Sequence, residues 1–171
     1  VILEHKGLYW SKIKGTEEAK TIEPDEDYII PFGKGRVVQE ASQDQTANGN
    51  TMCIITYGMG VYWAKAAAKK FEGKIEIVDL RTIFPLDEQL VFESARRHGK
   101  VMVLTEEPVH NGFAQSIAGR IGDTCFQWLD APVKVVGSEN LPAIPLNSTL
   151  ERTMLPNADK VEAAIKQLLE Y

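Results

Sequence analysis

The chain is short of what several functional classes require. No apolar run approaches the roughly 20 residues that a membrane-spanning helix needs, so the membrane is excluded as a partner of that kind. Only two cysteines occur in 171 residues, with no Cys-x-x-Cys spacing; a disulfide framework is excluded and a reducing compartment fits best. Histidine is equally scarce, and His5, His98 and His110 are too scattered to predict a metal centre. Basic residues number 19 against 24 acidic ones, giving a formal charge of −5. With no basic stripe and no aromatic-basic interleaving, nucleic acid is not an expected partner.

What remains is the composition of a globular domain. A hydrophobic fraction of 44% in this length suits one core plus an arm. The opening Val1-Ile2-Leu3-Glu4-His5-Lys6 is neither an initiator methionine nor a signal peptide. It reads as a strand cut in mid-run, and the expectation is an excised piece of a longer polypeptide. Residues 11–32 are rich in Lys, Glu, Asp and Thr without an apolar period, and read as a connector lying over something else.

Regular alternation follows. Arg36-Val37-Val38-Gln39 reads as a short edge strand, followed by a polar turn at Asn48-Gly49-Asn50. Met52–Thr56, Ile75–Val78, Val101–Leu104 and Val133–Val136 are near-continuous apolar strands of the kind covered by helices on both faces. Between them lie helical periods: Val61, Ala64, Ala67, Ala68 and Phe71 with Gly73 to stop them; Leu86, Leu90, Val91 and Ala95 ending at His98-Gly99; Phe113 to Ile121 behind Asn111-Gly112; and Val161 to Leu169 behind Pro156-Asn157. Such alternation with right-handed crossovers predicts a three-layer α/β/α sandwich. The segment from Ser138 to Met154 fits no period and reads as a long surface excursion.

Several candidate sites are weighed on residue type. Gly58-Met59-Gly60 opens a helix after a strand, and Asp79 closes the next strand about 20 residues later, as in a dinucleotide fingerprint. The third small residue would fall at Trp63, however, so a tight turn that uses glycine conformations is the better reading, with a nucleotide- or phosphate-binding domain as the alternative function. Cys53 and Cys125 read as core thiols, and His98 as a structural residue in the last turn of a helix. Glu106-Glu107-Pro108-Val109-His110-Asn111-Gly112 lies between a strand and a helix, at the edge where ligands of open sheets gather. Glu106, His110 and Asn111 are therefore a candidate interface loop, with Asn111 also a candidate helix cap. Trp128-Leu129-Asp130-Ala131-Pro132 and the terminal Leu168-Leu169-Glu170-Tyr171 each place acid beside apolar surface, read either as a turn residue and a fraying end or as an acidic patch for a basic partner.

The run Val78-Asp79-Leu80-Arg81-Thr82-Ile83-Phe84-Pro85-Leu86-Asp87 joins a buried strand to a helix start prepared by Pro85 and Asp87. Together with Leu3-Glu4-His5-Lys6, Gly33-Lys34-Gly35, Thr56-Tyr57-Gly58, Gly112-Phe113-Ala114 and Leu129-Asp130-Ala131-Pro132-Val133, it resembles the C-terminal domain of the beta subunit of thiamine-dependent 2-oxo acid dehydrogenases. That is a transketolase C-terminal-like domain, in the pyruvate and branched-chain 2-oxo acid dehydrogenase family. The resemblance implies a mixed five-stranded sheet whose first strand is antiparallel. It implies that residues 1–35 are the end of a pyrimidine-binding domain and a linker arm, and that 36–171 form the domain itself.

It further implies a parent oxidoreductase that decarboxylates a 2-oxo acid on thiamine diphosphate and a magnesium ion and passes the acyl group to a lipoyl domain. The Gly-Asp-Gly motif that holds the diphosphate lies outside this sequence. The expectation is thus no catalytic, cofactor-binding or metal-binding residue on this piece, and no activity from it in isolation. Implied partners are an alpha subunit or fused alpha half, a second beta subunit, and the basic subunit-binding domain of the acyltransferase core, engaged by Asp130 and Tyr171. The corresponding domain of transketolase or deoxyxylulose phosphate synthase is a further alternative. The implied location is the bacterial cytoplasm, ahead of the mitochondrial matrix.

Overall fold

The computed structural model describes residues 2–10 and 13–171. Expectations that touch Val1 and Ser11 lie outside the described residues. Five strands build the sheet: β1 (Arg36–Gln39), β2 (Met52–Thr56), β3 (Ile75–Asp79), β4 (Val101–Pro108) and β5 (Lys134–Ser138). Their spatial order is β1-β3-β2-β4-β5. β1 pairs antiparallel with β3, and the other pairings are parallel. The mixed sheet with an antiparallel first strand at one edge is thus present.

Seven α-helices accompany the sheet among the described residues: α1 (Lys6–Tyr9), α2 (Gln43–Ala47), α3 (Met59–Ala68), α4 (Glu88–His98), α5 (Phe113–Cys125), α6 (Ser148–Met154) and α7 (Ala158–Leu169). The period-2 alternation of the strands sorts their side chains to two faces. Met52, Ile54, Ile75, Ile77, Met102 and Leu104 join Ala64, Ala67, Val161 and Ile165 in one cluster under α3 and α7. Cys53, Ile55, Val78, Val101 and Val103 join Val91, Ala95, Ile117 and Ile121 in the other, under α4 and α5. Three layers result, and the fully buried aliphatics, Leu80 among them, each contribute about 2–3 kcal/mol of transfer free energy.

Local chemistry explains the helix ends. Asp87 caps α4 by accepting from the Leu90 N–H, and its other carboxylate oxygen accepts from the Gly35 N–H at 3.1 Å. The strand-turn-helix and the Gly33-Lys34-Gly35 element therefore lock each other; Gly33, at φ 73°, lies against the Pro85 ring. Asp79 holds the turn itself, accepting from the Arg81 N–H at 3.1 Å while Arg36 lies 3.7 Å from its second oxygen. Asn157 caps α7, and Gly99, at φ 67°, ends α4 in the left-handed region.

Three expectations need correction, and residues 43–47 add a helix that the sequence reading does not announce. Residues 2–5 form no strand and lead into the helical turn α1, because no described strand lies beside them to complete a ladder. The excursion after β5 contains α6, started by Asn147, which accepts from the N–H groups of Thr149 and Leu150. Residues 43–47 before the Asn48 turn are a short helix capped by Ser42. α3 stops at Ala68, five residues short of Gly73, and Phe71 packs on the core from beyond the helix.

Candidate functional site

In this strand order the chain leaves β2 toward β3 and later returns to place β4 on the other side of β2. The topological switch point therefore lies between the C-terminal ends of β2 and β4, where open α/β sheets ordinarily bind ligands. The sequence brings Tyr57 and Gly58 to one side of this crevice and Thr105, Glu106 and Glu107 to the other. Thr105 is fully buried, and its hydroxyl bonds the Tyr57 hydroxyl at 2.7 Å. Burial pushes the Tyr57 phenol up, with help from the nearby acids and against the bond to Thr105.

Glu106 and Glu107 have separate tasks. Glu107 Oε1 accepts from the Ala114 N–H at 2.9 Å and so supplies the cap of α5. Asn111 was expected to cap this helix. It instead takes φ 59° in an exposed turn, with its N–H donating to Gln115, and Gly112 stands at the cap position. The reason is steric: a Cβ at position 112 would lie 2.6 Å from the Pro108 carbonyl and 2.8 Å from the Glu107 carboxylate, so only glycine admits that carboxylate. Glu106 Oε2 and His5 Nε2 are hydrogen-bonded at 3.0 Å, with the imidazole N–H as donor in the Nε2-protonated tautomer. The Glu106 carbonyl accepts from Ser138 Oγ at 2.6 Å.

The imidazole that meets an acid of this loop is thus His5, not His110, which is exposed in the turn beside Asn111. Sequence reasoning missed His5 because its partner lies 101 positions away. The Gly58 turn has a simpler basis than a fingerprint. Gly58 takes φ 56°, and a Cβ on Gly60 would collide with the Thr56 hydroxyl, which is held by the Leu104 carbonyl at 2.9 Å. Both glycines serve the close turn from β2 into α3. The chain's residues here do not fit a diphosphate held through a metal ion, because the crevice contains the His5 ring and the α5 N-terminus faces the Glu107 carboxylate. No group of three His, Cys, Asp or Glu suited to a metal ion occurs among the described residues.

At the opposite, N-terminal edge of the sheet lies Asp130, in the turn before β5. Its N–H donates to the Gly99 carbonyl at 2.8 Å, and its carboxylate packs against Gly99 at the surface. Two shallow apolar grooves meet here. One is lined by Gly119, Gly122, Phe126, Leu129 and Asp130, the other by Lys134, Gln167, Leu168, Glu170 and Tyr171, and both share Pro132 and Val133 in their lining. Asp130 and Tyr171, 130 and 171 in the chain, therefore sit on one edge. Arg96 stacks over the Trp128 ring at 4.8 Å and closes the side of that edge.

Beneath it, Glu76 is buried beside Arg97 (2.7 Å) and His98 (3.2 Å), and His98 bonds Thr51 at 2.7 Å. Burial pushes the Glu76 carboxyl up, but the polar hydrogens of His98 and Ser94 and the charge of Arg97 together outweigh it and hold the group below the ordinary carboxylate range. The structural role read for His98 fits this position. Burial raises both thiols, Cys53 strongly, which matches their reading as core residues.

Comparison with known proteins decides the lineage. Residues 40–161 match the family described as transketolase, C-terminal domain. The chain belongs to that family. It is 36% identical to the 2-oxoisovalerate dehydrogenase subunit beta of Bacillus subtilis, over all of this chain and 49% of the relative. It is 32% identical to the pyruvate dehydrogenase E1 component subunit beta of Rickettsia conorii, over all of this chain and 48% of that one. The chain spans about half the length of the curated relatives it matches. A solved structure titled as a split-gene transketolase, an inactive beta4 tetramer, shares the fold with a TM-score of 0.65 and 24% identity, over 85% of this chain and 45% of its own. The resemblance to dehydrogenase beta subunits read from the sequence is borne out, as is the mixed-sheet fold.

Proposed function

We propose that this chain is the C-terminal assembly domain of the decarboxylating component of a 2-oxo acid dehydrogenase complex, formed by residues 36–171 with residues 1–35 as the end of a preceding pyrimidine-binding domain and a linker arm. The whole enzyme carries out thiamine diphosphate-dependent oxidative decarboxylation of a 2-oxo acid, branched-chain or pyruvate, and transfers the acyl group to lipoyl. Chemistry takes place elsewhere in that enzyme, on thiamine diphosphate and magnesium held with the alpha subunit. This domain contributes contacts to the alpha subunit, to a second beta subunit and to the acyltransferase core, in the bacterial cytoplasm.

The observation that carries this reading is the place of Asp130 and Tyr171 on two neighbouring grooves that share Pro132 and Val133 in their lining. Apolar lining with acid at the rim suits a basic partner domain, since rim charge steers encounter while the buried centre supplies affinity. The arm and the turn before α4 add further exposed apolar side chains, with Leu3, Ile22, Ile29, Phe32 and Phe84 each more than 70% exposed. Such exposed apolar side chains suit contacts with the preceding domain and the alpha subunit. Calorimetric titration of the basic subunit-binding domain into the chain tests the docking role. Saturable binding that weakens in Asp130→Lys supports it, and equal affinity in the variant removes Asp130 from the interface.

A further inference from the structure

We infer that the crevice between the ends of β2 and β4 is a built socket for an imidazole of the same chain, with His5 as its resident ligand and Glu106 as the group that latches it. The ring is held on three sides. Glu106 Oε2 accepts from Nε2 at 3.0 Å. On one flank a Cβ at Gly7 would lie 3.1 Å from the ring, and on the other a Cβ at Gly58 would lie 4.0 Å from it, so the imidazole sits between two positions that lack a side chain. Nδ1 is enclosed without a hydrogen-bond partner among the described residues while the side chain as a whole stays 28% exposed, so the ring is set into the mouth of the crevice with one edge in solvent.

Both halves of the latch are fixed by their own backbones. The His5 carbonyl accepts from the Leu8 N–H at 3.0 Å in the turn that starts α1, and the Glu106 carbonyl is held by Ser138. The contact closes a loop of 101 positions between the arm and β4. Its first consequence is that the arm is anchored on the C-terminal edge of the sheet. Its second is that the place where this fold class ordinarily admits a ligand is filled from within. The ligand chemistry follows from the walls: a flat heterocycle whose N–H donates to a carboxylate.

Amide hydrogen exchange in the 171-residue chain tests this directly. A hydrogen bond to a carboxylate that is partly open to solvent is worth a factor of about three to ten, so His5→Ala and Glu106→Ala should each speed exchange at Leu8 and Tyr9 by about that factor. Protection in β2 and β4 should stay unchanged. Gly7→Val, which crowds the ring but leaves both partners and the sheet core in place, should release the arm in the same way. Free imidazole should shift the Gly58 and Glu106 amide resonances of His5→Ala and should not do so in His5→Ala combined with Glu106→Ala. Unchanged exchange at Leu8 and Tyr9 in His5→Ala and Gly7→Val, or imidazole shifts no larger in His5→Ala than in the parent chain, would overturn the socket.

Discussion

The two ends of the central sheet differ in a way opposite to the habit of open α/β folds. At the C-terminal end, where ligands usually bind, polar groups are consumed internally: His5 by Glu106, Tyr57 by Thr105, Glu107 by the start of α5 and Ser138 by the Glu106 carbonyl. At the N-terminal end the polar network is buried beneath the surface, around Glu76, and the surface itself is left open. Asp130 stands there on the lining of one groove, next to a second, with no ion-pair partner among the described residues. A sheet that keeps its fold while closing the ordinary ligand edge has the character of a scaffold. Its free edge is then available for assembly, which is the role proposed.

The largest test of this contrast lies inside the N-terminal end. Glu76→Ala strips the buried His98 of its acidic neighbour and should lower unfolding free energy by about 3 kcal/mol in urea titrations, whereas loss of a surface ion pair costs under about 1 kcal/mol. The same residue gives a pH test. Because the folded state holds its carboxyl below the ordinary value, its contribution is fully present above the unfolded glutamate range and is lost as pH falls through the lower folded value. The stability gap between the parent chain and Glu76→Gln should therefore be widest near neutral pH and close on acidification. A gap that widens in acid would contradict the direction of the shift. At the C-terminal end, Gly60→Ala forces a methyl group against Thr56 and should cost about 2 kcal/mol, read as a lower melting temperature. An unchanged melting temperature would mean that the turn into α3 is slack.

Much of the scaffold was legible in the sequence because its determinants are local. Period-2 apolar strands, the Asp87 and Asn157 caps and the Gly99 terminator each act within a few residues of themselves. The short helix α6 escaped because it buries only Met154 and so shows no apolar period. Asn111 was mistaken for the cap of α5 because the Glu107 carboxylate reaches the helix from the strand before the turn, a geometry no spacing rule encodes. The His5–Glu106 contact was invisible for a stronger reason, since only the folded sheet brings an arm residue to the end of β4. Asp130 and Tyr171 stand out in the sequence through acid beside apolar residues and through the resemblance. The lining their two grooves share at Pro132 and Val133 emerges from the packing of α7 beside β5, which the sequence pattern does not show.

Charge reversal at both ends of the sheet tests the central claim most directly. The basic subunit-binding domain of the acyltransferase core is titrated by calorimetry into the parent chain, Asp130→Lys and Glu106→Lys, each variant changing the net charge equally. With docking at the N-terminal edge, Asp130→Lys weakens binding about tenfold while Glu106→Lys stays close to the parent chain. Equal losses in the two variants, or a loss confined to Glu106→Lys, would contradict the assignment of the open edge to assembly.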